Sequence, residues 1–363
     1  MLYFGNDANE CTLCPRACRV NRKSGEKGFC GMGAKAVVSR AHLHKWEEPC
    51  ISGKNGSGTV FFCGCNLQCV FCQNRAISDP ADHHEVDLDL CRKHREDPAR
   101  ITEIAVETED PTKTAQIAVE TDNPAKTAQI AVETEDPAKT AWIAVEPEEL
   151  ADIFLRLQRK GAENINLVTP TQFADQIVAA IDLARNGGLQ IPVVYNCGGY
   201  ESVETLKMLE GYVDVWMPDF KYYSDELSIR YSGAAHYFET ASAALREMVR
   251  QTGGEHIIDE NGMMKKGVLV RHLVLPGHTA DSKHILRFLH ENFGNAVYIS
   301  IMNQFTPIGD LNGHPEINRK LEPDEYRRVV DFAEKIGITK GFIQEGDTAA
   351  ESFIPAFDGT GII

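Results

Sequence analysis

Cys65, Cys69 and Cys72 stand in the spacing C-x3-C-x2-C, directly after the β-rich run Thr59-Val-Phe-Phe-Cys63. Three thiolates on one short loop can each hold one iron of a [4Fe–4S] cluster, a group that ordinarily takes four cysteine ligands. The fourth iron is then open to a substrate or cofactor. The competing reading is three unrelated buried thiols, since free cysteine often packs as a small hydrophobe. Two features favour ligation. Phe71 stands just before the third cysteine, and the loop leaves an expected strand, where parallel α/β enzymes place their chemistry.

A second set lies near the N-terminus. Cys11, Cys14, Cys18 and Cys30 follow the spacing C-x2-C-x3-C-x11-C, with Pro15 and Gly28 as turn residues between them. Four thiolates this close in sequence suit zinc or a second iron–sulfur cluster; a reduced, cysteine-rich cap is the alternative. Cys50 and Cys63 read as structural thiols and Cys91 as incidental. His83 and His84 read as an exposed loop pair rather than ligands.

These residues need a scaffold, and from Pro147 onward the pattern supplies one. Leu150, Ile153, Phe154 and Leu157 recur at helical spacing before Gly161. Strands are expected at 164–168, 191–195, 213–217, 268–274, 297–301 and 341–344. Helices are expected between them at 173–185, 202–209, 225–250, 282–293 and 323–336. Regular alternation of this kind argues for a parallel sheet with right-handed crossovers. The carboxyl ends of these strands carry Thr169, Thr171, Asn196, Cys197, Asp219, Lys221, Arg271, His272, Asn303 and Gln304, a polar ring where such folds work.

The stretch Gly64-Cys-Asn-Leu-Gln-Cys-Val-Phe-Cys-Gln-Asn74 resembles the radical S-adenosylmethionine (radical SAM) superfamily, and within it the relatives of pyruvate formate-lyase activating enzyme. Glu47-Glu-Pro-Cys-Ile-Ser-Gly, Asn166-Leu-Val-Thr-Pro-Thr171, Pro218-Asp-Phe-Lys221 and Arg271-His-Leu-Val-Leu-Pro-Gly277 are similar to segments of one uncharacterised branch of that group. The resemblance covers most of the chain except roughly residues 80 to 146. It implies an α/β fold of the partial (β/α)6-type barrel, which periodicity alone does not separate from a doubly wound sheet. It also implies a [4Fe–4S] cluster on Cys65, Cys69 and Cys72, with S-adenosyl-L-methionine on the open iron.

Met217-Pro-Asp-Phe-Lys221 is similar to the Met-x-Asp-x-Lys strand end of the activating enzyme, so the resemblance gives Asp219 and Lys221 contacts to the cofactor or an associated monovalent cation. Arg271 matches an arginine that could take the cofactor carboxylate as a fork. Asn196 and Cys197 stand where the family has Asp-Thr. Val168-Thr-Pro-Thr171 replaces the family's Gly-Gly-Glu, with Thr169 a candidate for holding the amine. The activity implied is reductive cleavage of S-adenosylmethionine to methionine and a 5′-deoxyadenosyl radical that abstracts hydrogen, here to activate a glycyl radical enzyme. Modification of another peptide or a small molecule, and a non-catalytic iron–sulfur or zinc scaffold, are the alternatives. The implied partners are an electron donor such as flavodoxin or ferredoxin and a glycyl radical enzyme. Phe353-Ile-Pro-Ala-Phe-Asp-Gly359 reads as an aromatic element that closes over the site.

The bulk properties agree with this class. The chain has 363 residues, 43% of them hydrophobic, and a net charge of −16. That charge argues against a nucleic-acid backbone as the main ligand. No run of apolar residues is long enough to span a membrane. The first residues lack the basic and apolar regions of a signal peptide, and the eleven cysteines favour ligation over disulfides, so a cytoplasmic location is expected. Residues 104 to 146 hold a 13-residue repeat beginning at Ile104, Ile117 and Ile130, with a fourth copy starting at Ile143. They carry nine acidic residues and three lysines. Proline in each unit favours short helices such as 124–133 or a disordered loop. The expected organisation is a cysteine-rich region at 1–50, the cluster-binding start of the core at 51–79, an acidic insert at 80–146 and the rest of the core at 147–363.

Overall fold

The structure is a computed structural model that describes residues 10–79, 140–308, 311–344 and 357–362, together with strand segments at 85–86, 105–107, 114–116, 118–120 and 129–131. The strands are β1 (Ala36–His44), β2 (Ser57–Phe62), β3 (Glu85–Val86), β4 (Ala105–Glu107), β5 (Thr114–Gln116), β6 (Ala118–Glu120), β7 (Gln129–Ala131), β8 (Trp142–Val145), β9 (Ile165–Val168), β10 (Val193–Cys197), β11 (Val215–Pro218), β12 (Ile257–Ile258), β13 (Met264–Leu273), β14 (Tyr298–Met302) and β15 (Gly341–Ile343). The helices are α1 (Pro49–Ser52), α2 (Arg75–Ser78), α3 (Pro147–Arg159), α4 (Ala174–Asn186), α5 (Val203–Met208), α6 (Asp225–Ser232), α7 (Tyr237–Thr252), α8 (Thr279–Phe293) and α9 (Pro323–Lys335). Cys91, His83, His84 and residues 353–356 lie outside the described residues. Among the described residues no helix is long and apolar enough to cross a membrane.

The sheet runs β15-β14-β13-β11-β10-β9-β2-β1-β8-β3, with β12 on β13. From β2 through β15 every neighbouring pair on this path is parallel. Spatial order follows chain order along that run. A doubly wound sheet would reverse direction at a switch point; this one does not. Right-handed crossovers wound one way put the connecting helices on one face, so the other face forms the inside of an open, singly wound sheet, as in a partial barrel. The sheet does not close among the described residues. On the β2 side β1 pairs antiparallel to β2, and β8 pairs antiparallel to β1.

The two faces have different interiors. Phe154, Phe62, Phe173 and Ile181 pack around β1, β2, β8 and β9, while Trp216, Tyr237, Leu245 and Leu286 pack between the later strands and their helices. The inner face is narrow. Val194, Val215, Met217, Met264 and Leu269 meet Cys50 and Ile51 of α1, which covers the inner face. Cys50 and Cys63 are buried as expected of structural thiols.

The expected elements shift in places. The strand expected at 191–195 starts at Val193, because Pro192 lacks an amide to donate and Val193 opens the ladder by donating to Asp214 Oδ2. The single helical stretch expected at 225–250 is two helices. Gly233 adopts φ 57°, ψ 27° and ends α6 in a left-handed cap. Of the helix expected at 124–133, the described residues Gln129–Ala131 are instead a strand paired with Ala118–Glu120, and the rest lies outside the described residues. The Ile-Ala-Val-Glu core of each repeat is β-prone, and proline every 13 residues interrupts a helix.

The fourth repeat copy has a different status. Ile143-Ala-Val145 is the body of β8, in register with Val38, Val37 and Ala36 of β1. Trp142, Ile143 and Val145 are buried. The repeats upstream thus echo the sequence of a core strand. The C-terminal segment straps the same edge. Phe357 packs on Phe61 with ring centroids 5.5 Å apart, Gly359 N donates to Ser39 O, and Ala41 N donates to Thr360 O. Phe357 is therefore a core residue beside β1 and β2. Removing residues 101–139, three repeat lengths, leaves β8 whole, and its unfolding free energy in urea is expected to stay within about 0.5 kcal/mol of the full chain. Trp142→Ala is expected to cost roughly 3–5 kcal/mol. A deletion as destabilised as Trp142→Ala would show the repeats to be part of the core.

Candidate functional site

The cysteine loop leaves the carboxyl end of β2 and is held from both sides. Gly64 has φ +74°, and a Cβ there would lie 2.6 Å from Cys30 O, so only glycine fits this approach. Gly64 N donates to Ile77 O at 2.7 Å. The far side rests on the end of α6. Gln68 N donates to Ser232 O at 3.1 Å and Val70 N to Tyr231 O at 2.8 Å. These carbonyls lie in the last turn of a helix, where acceptors lack intrahelical partners; the cysteine loop supplies them.

Each thiol has a distinct donor. Leu67 N donates to Cys65 Sγ at 3.4 Å, Ser232 Oγ to Cys69 Sγ at 2.9 Å and Ser78 Oγ to Cys72 Sγ at 3.4 Å. Burial pushes the Cys65 and Cys69 thiols up, and the three sulfurs act on one another electrostatically. Lys221 opposes this by favouring thiolate at both positions. No three of the cysteine sulfurs lie within 4.8 Å of one another among the described residues. A single tetrahedral ion would hold them closer, at about 3.8 Å. A loop of three thiols with one cation and hydroxyl and amide donors to sulfur therefore fits an iron–sulfur cluster, whose ligands sit on separate irons.

Next to the loop, on the inner face of the sheet, is a buried charged network. Lys221 Nζ donates to Asp219 Oδ2 at 2.6 Å. Arg271 donates from Nε to Asp219 Oδ1 at 3.1 Å, from one terminal nitrogen to Glu47 Oε2 at 3.1 Å, and from the other to Asn196 Oδ1 at 2.5 Å. Asn166 Nδ2 and Asn196 Nδ2 donate to Glu47 Oε1 at 3.0 and 3.4 Å. Burial alone would raise the Asp219 carboxyl, but Lys221 and Arg271 outweigh it and hold it below its ordinary value. Burial would lower Lys221, and Asp219 with Cys69 outweighs that and raises it. Both groups are thus charged. The adjacent Glu48 is pushed up by burial, against the pull of Arg271.

Asn196, Asp219, Lys221 and Arg271, separated in sequence, are one cluster. Arg271 is not a free fork: carboxylates of the chain itself, Asp219 and Glu47, occupy it. His272, its neighbour on β13, is turned the other way by the pleat, buried with Nδ1 2.8 Å from Phe220 O. It does not belong to the ring. Thr169 holds a left-handed φ of 57°, its amide donates to Asn196 O at 2.9 Å, and its carbonyl accepts from Gln172 Nε2 at 2.8 Å. Thr171 Oγ1 donates instead to buried Glu201 at 2.9 Å. Asn303 and Gln304 meet Gln344 at the far rim: Asn303 N donates to Gln344 Oε1 at 2.9 Å and Gln344 Nε2 to Gln304 Oε1 at 3.1 Å. Gln73 Nε2 donates to Gln304 O at 3.2 Å, joining that rim to the cysteine loop.

Sequence reasoning gave no role to Glu47, Glu201 or the group around Tyr231. Tyr231 Oη lies 2.9 Å from His278 Nε2 and donates to Glu316, which also pairs with Arg230 at 2.8 Å. The Glu47–Gly53 segment carried a family resemblance but no strand signal, and only the fold shows where it ends. Gly199 at φ +79° marks the turn before Glu201; a Cβ there would lie 2.1 Å from Asp219 O.

No family model matches the chain. An uncharacterised protein of Methanocaldococcus jannaschii is 29% identical over 339 residues, spanning 92% of this chain and 77% of the relative. Among solved structures, Streptococcus suis SuiB bound to the precursor peptide SuiA aligns with a TM-score of 0.40 at 11% identity over 78% of this chain and 46% of its own. A domain of pyruvate-formate lyase-activating enzyme from Bacteroides vulgatus aligns with a TM-score of 0.34 at 13% identity over 47% and 93%. HydG, a maturase of the [FeFe]-hydrogenase, aligns with a TM-score of 0.38 at 17% identity over 59% and 48%. The chain spans less than half the length of the SuiB chain it matches.

Glu201 gives a test of this geometry. Burial pushes its carboxyl up to about 8, against the hydrogen bond from Thr171. The folded state keeps a proton that the unfolded chain releases near 4.5. Stability contributed through this group therefore falls as pH rises from about 4.5 to about 8. The drop in urea midpoint between about pH 5 and about pH 8 is expected to be smaller in Glu201→Gln than in the native chain. Equal drops would contradict the buried, protonated carboxyl.

Proposed function

We propose that this chain is a radical S-adenosylmethionine enzyme. The observation that carries the reading is the placement of Cys65, Cys69 and Cys72: one loop, at the carboxyl end of the first strand of a parallel, singly wound sheet, beside the buried pair Asp219 and Lys221. When bound, the cluster and S-adenosylmethionine supply the redox chemistry, one-electron cleavage of the cofactor's carbon–sulfur bond followed by hydrogen abstraction from the substrate.

The chain's residues hold and orient. Cys65, Cys69 and Cys72 are the cluster ligands. The three cysteines are half-buried, and the contact of buried Phe71 with buried Phe305, centroids 5.8 Å apart, limits water at the loop. Lys221 supplies a fixed positive charge next to the sulfurs. Asp219, Asn196 and Thr169 line the adjoining strand ends and offer polar contacts to the cofactor. Arg271, saturated by Glu47, Asp219 and Asn196, is a positioning residue for that surface. The electron comes from a flavodoxin- or ferredoxin-class donor.

The substrate class within this reading is a glycine-bearing protein, as for an activase of a glycyl radical enzyme. Among the described residues the sheet does not close and leaves one side of the site open, and a hydrogen donor must come within about 3–3.5 Å of the reacting centre. Protein loops suit an open side better than small metabolites, which need an enclosing pocket.

Dithionite-reduced, reconstituted protein is expected to convert S-adenosylmethionine to 5′-deoxyadenosine, and Cys65→Ala/Cys69→Ala/Cys72→Ala to give none. Native-rate cleavage by the variant would rule out this mechanism. Glycyl-radical proteins carrying deuterated glycine are expected to pass label into 5′-deoxyadenosine and to show a glycine-centred doublet in paramagnetic resonance. Label arriving only from a metabolite extract would overturn the activase assignment.

A further inference from the structure

The N-terminal cysteines gather beside the main loop. The segment folds back on itself: Cys11 N donates to Val20 O and Arg19 N to Cys11 O, both at 3.0 Å. A second turn closes around Cys30, with Gly28 N donating to Met32 O at 3.1 Å and Gly31 N to Gly28 O at 2.9 Å. A Cβ on Gly28 would meet Cys18 Sγ at 3.1 Å and Cys30 Sγ at 3.6 Å, so two sulfurs from distant turns face the same backbone. Ala17 and Arg19 flank Cys18 with φ of 41° and 57°. Left-handed backbone in residues other than glycine is costly and gathers at functional sites.

Each sulfur receives an amide from two residues downstream: Leu13 to Cys11, Arg16 to Cys14, Val20 to Cys18 and Met32 to Cys30. Phe29 adds another to Cys18. The guanidinium of Arg22 lies 3.2 Å from Cys30 Sγ. Leu67 addresses Cys65 in the main loop in the same way. Amides and a cation aimed at sulfur favour bound thiolates, and a plain cap of packed thiols has no use for four such donors. No three of the sulfurs lie within 4.8 Å of one another; among the described residues only Asp225, His236 and Glu239 do so. A zinc ion would need its sulfurs about 3.8 Å apart. In a polynuclear centre each sulfur sits on its own metal and need not meet all the others.

This unit is seated on the main loop. Arg16, between Cys14 and Cys18, donates to Asn66 O at 2.8 Å and Gly233 O at 2.6 Å, with its guanidinium 3.9 Å from the centre of the Phe29 ring. Arg22 donates to Gln172 O at 2.5 Å, and Gln172 Nε2 donates to Cys63 O and Gly64 O at 2.8 and 3.0 Å.

We propose that Cys11, Cys14, Cys18 and Cys30 bind a second iron–sulfur cluster, fully ligated by thiolates and built directly onto the loop that carries Cys65, Cys69 and Cys72. It stands apart from the proposed function, because these four ligands are complete without the main loop.

The test is iron, sulfide and zinc content with Mössbauer spectra after anaerobic reconstitution with ferrous iron and sulfide. The native chain is expected to hold about eight irons, and Cys65→Ala/Cys69→Ala/Cys72→Ala and Cys11→Ala/Cys14→Ala about four each. One zinc per native chain beside about four irons would overturn the proposal, as would a main-loop variant that folds by circular dichroism yet holds no iron. The native count needs no variant, so a misfolded variant leaves the test intact. Iron in the main-loop variant but none in the N-terminal variant would support this site and count against the proposed function.

Discussion

Arg271 is a buried cation with acceptors from three separate parts of the chain: Glu47 ahead of α1, Asn196 on β10 and Asp219 at the end of β11. Taking such a charge out of water costs several kcal/mol unless its partners are placed to compensate, and removing one partner of a buried pair typically costs 3–5 kcal/mol. That requirement fixes the inner face of the sheet. It sets β10, β11 and β13 in register near their carboxyl ends and holds the segment leading into α1 against the inner face. It also leaves Lys221, through Asp219, pointing at the cysteine loop.

The cysteine loop depends on neighbours distant in sequence. Its amides complete the end of α6, and Gly64 admits Cys30 from the N-terminal segment. Arg16 and Arg22 tie that segment to backbone carbonyls on both sides of the loop. The N-terminal region is thus continuous with the site in packing, although its composition sets it apart from the α/β core. The acidic repeats make the opposite case: their sequence matches β8, but among the described residues it is the last copy that joins the core sheet, while β4 pairs with β5 and β6 with β7 in separate two-stranded sheets.

Much of this was legible in the sequence. Helices with apolar spacing and clear ends, such as Pro147–Arg159 and Pro323–Lys335, lie within a residue or two of where the pattern places them, because both have a proline start and a capping box that are local. The strand-end reading named Asn196, Asp219, Lys221 and Arg271, which the structure brings into one hydrogen-bonded cluster, since parallel strands put their last residues on one rim. It included His272 wrongly, because adjacent residues on a strand face opposite sides. Glu47 escaped it, as no local pattern tells that a loop before a short helix packs on the inner face of the sheet. The break at Gly233 was hidden because helical spacing continues across it, and the need for a break comes from the cysteine loop.

The central claim is that the main loop leaves one iron of its cluster open to S-adenosylmethionine. The direct measurement is the paramagnetic resonance spectrum of the dithionite-reduced Cys11→Ala/Cys14→Ala variant, which isolates that cluster, recorded with and without S-adenosylmethionine. The account predicts a reduced-cluster signal whose g values shift on adding the cofactor. A cluster signal unchanged by saturating cofactor would contradict it.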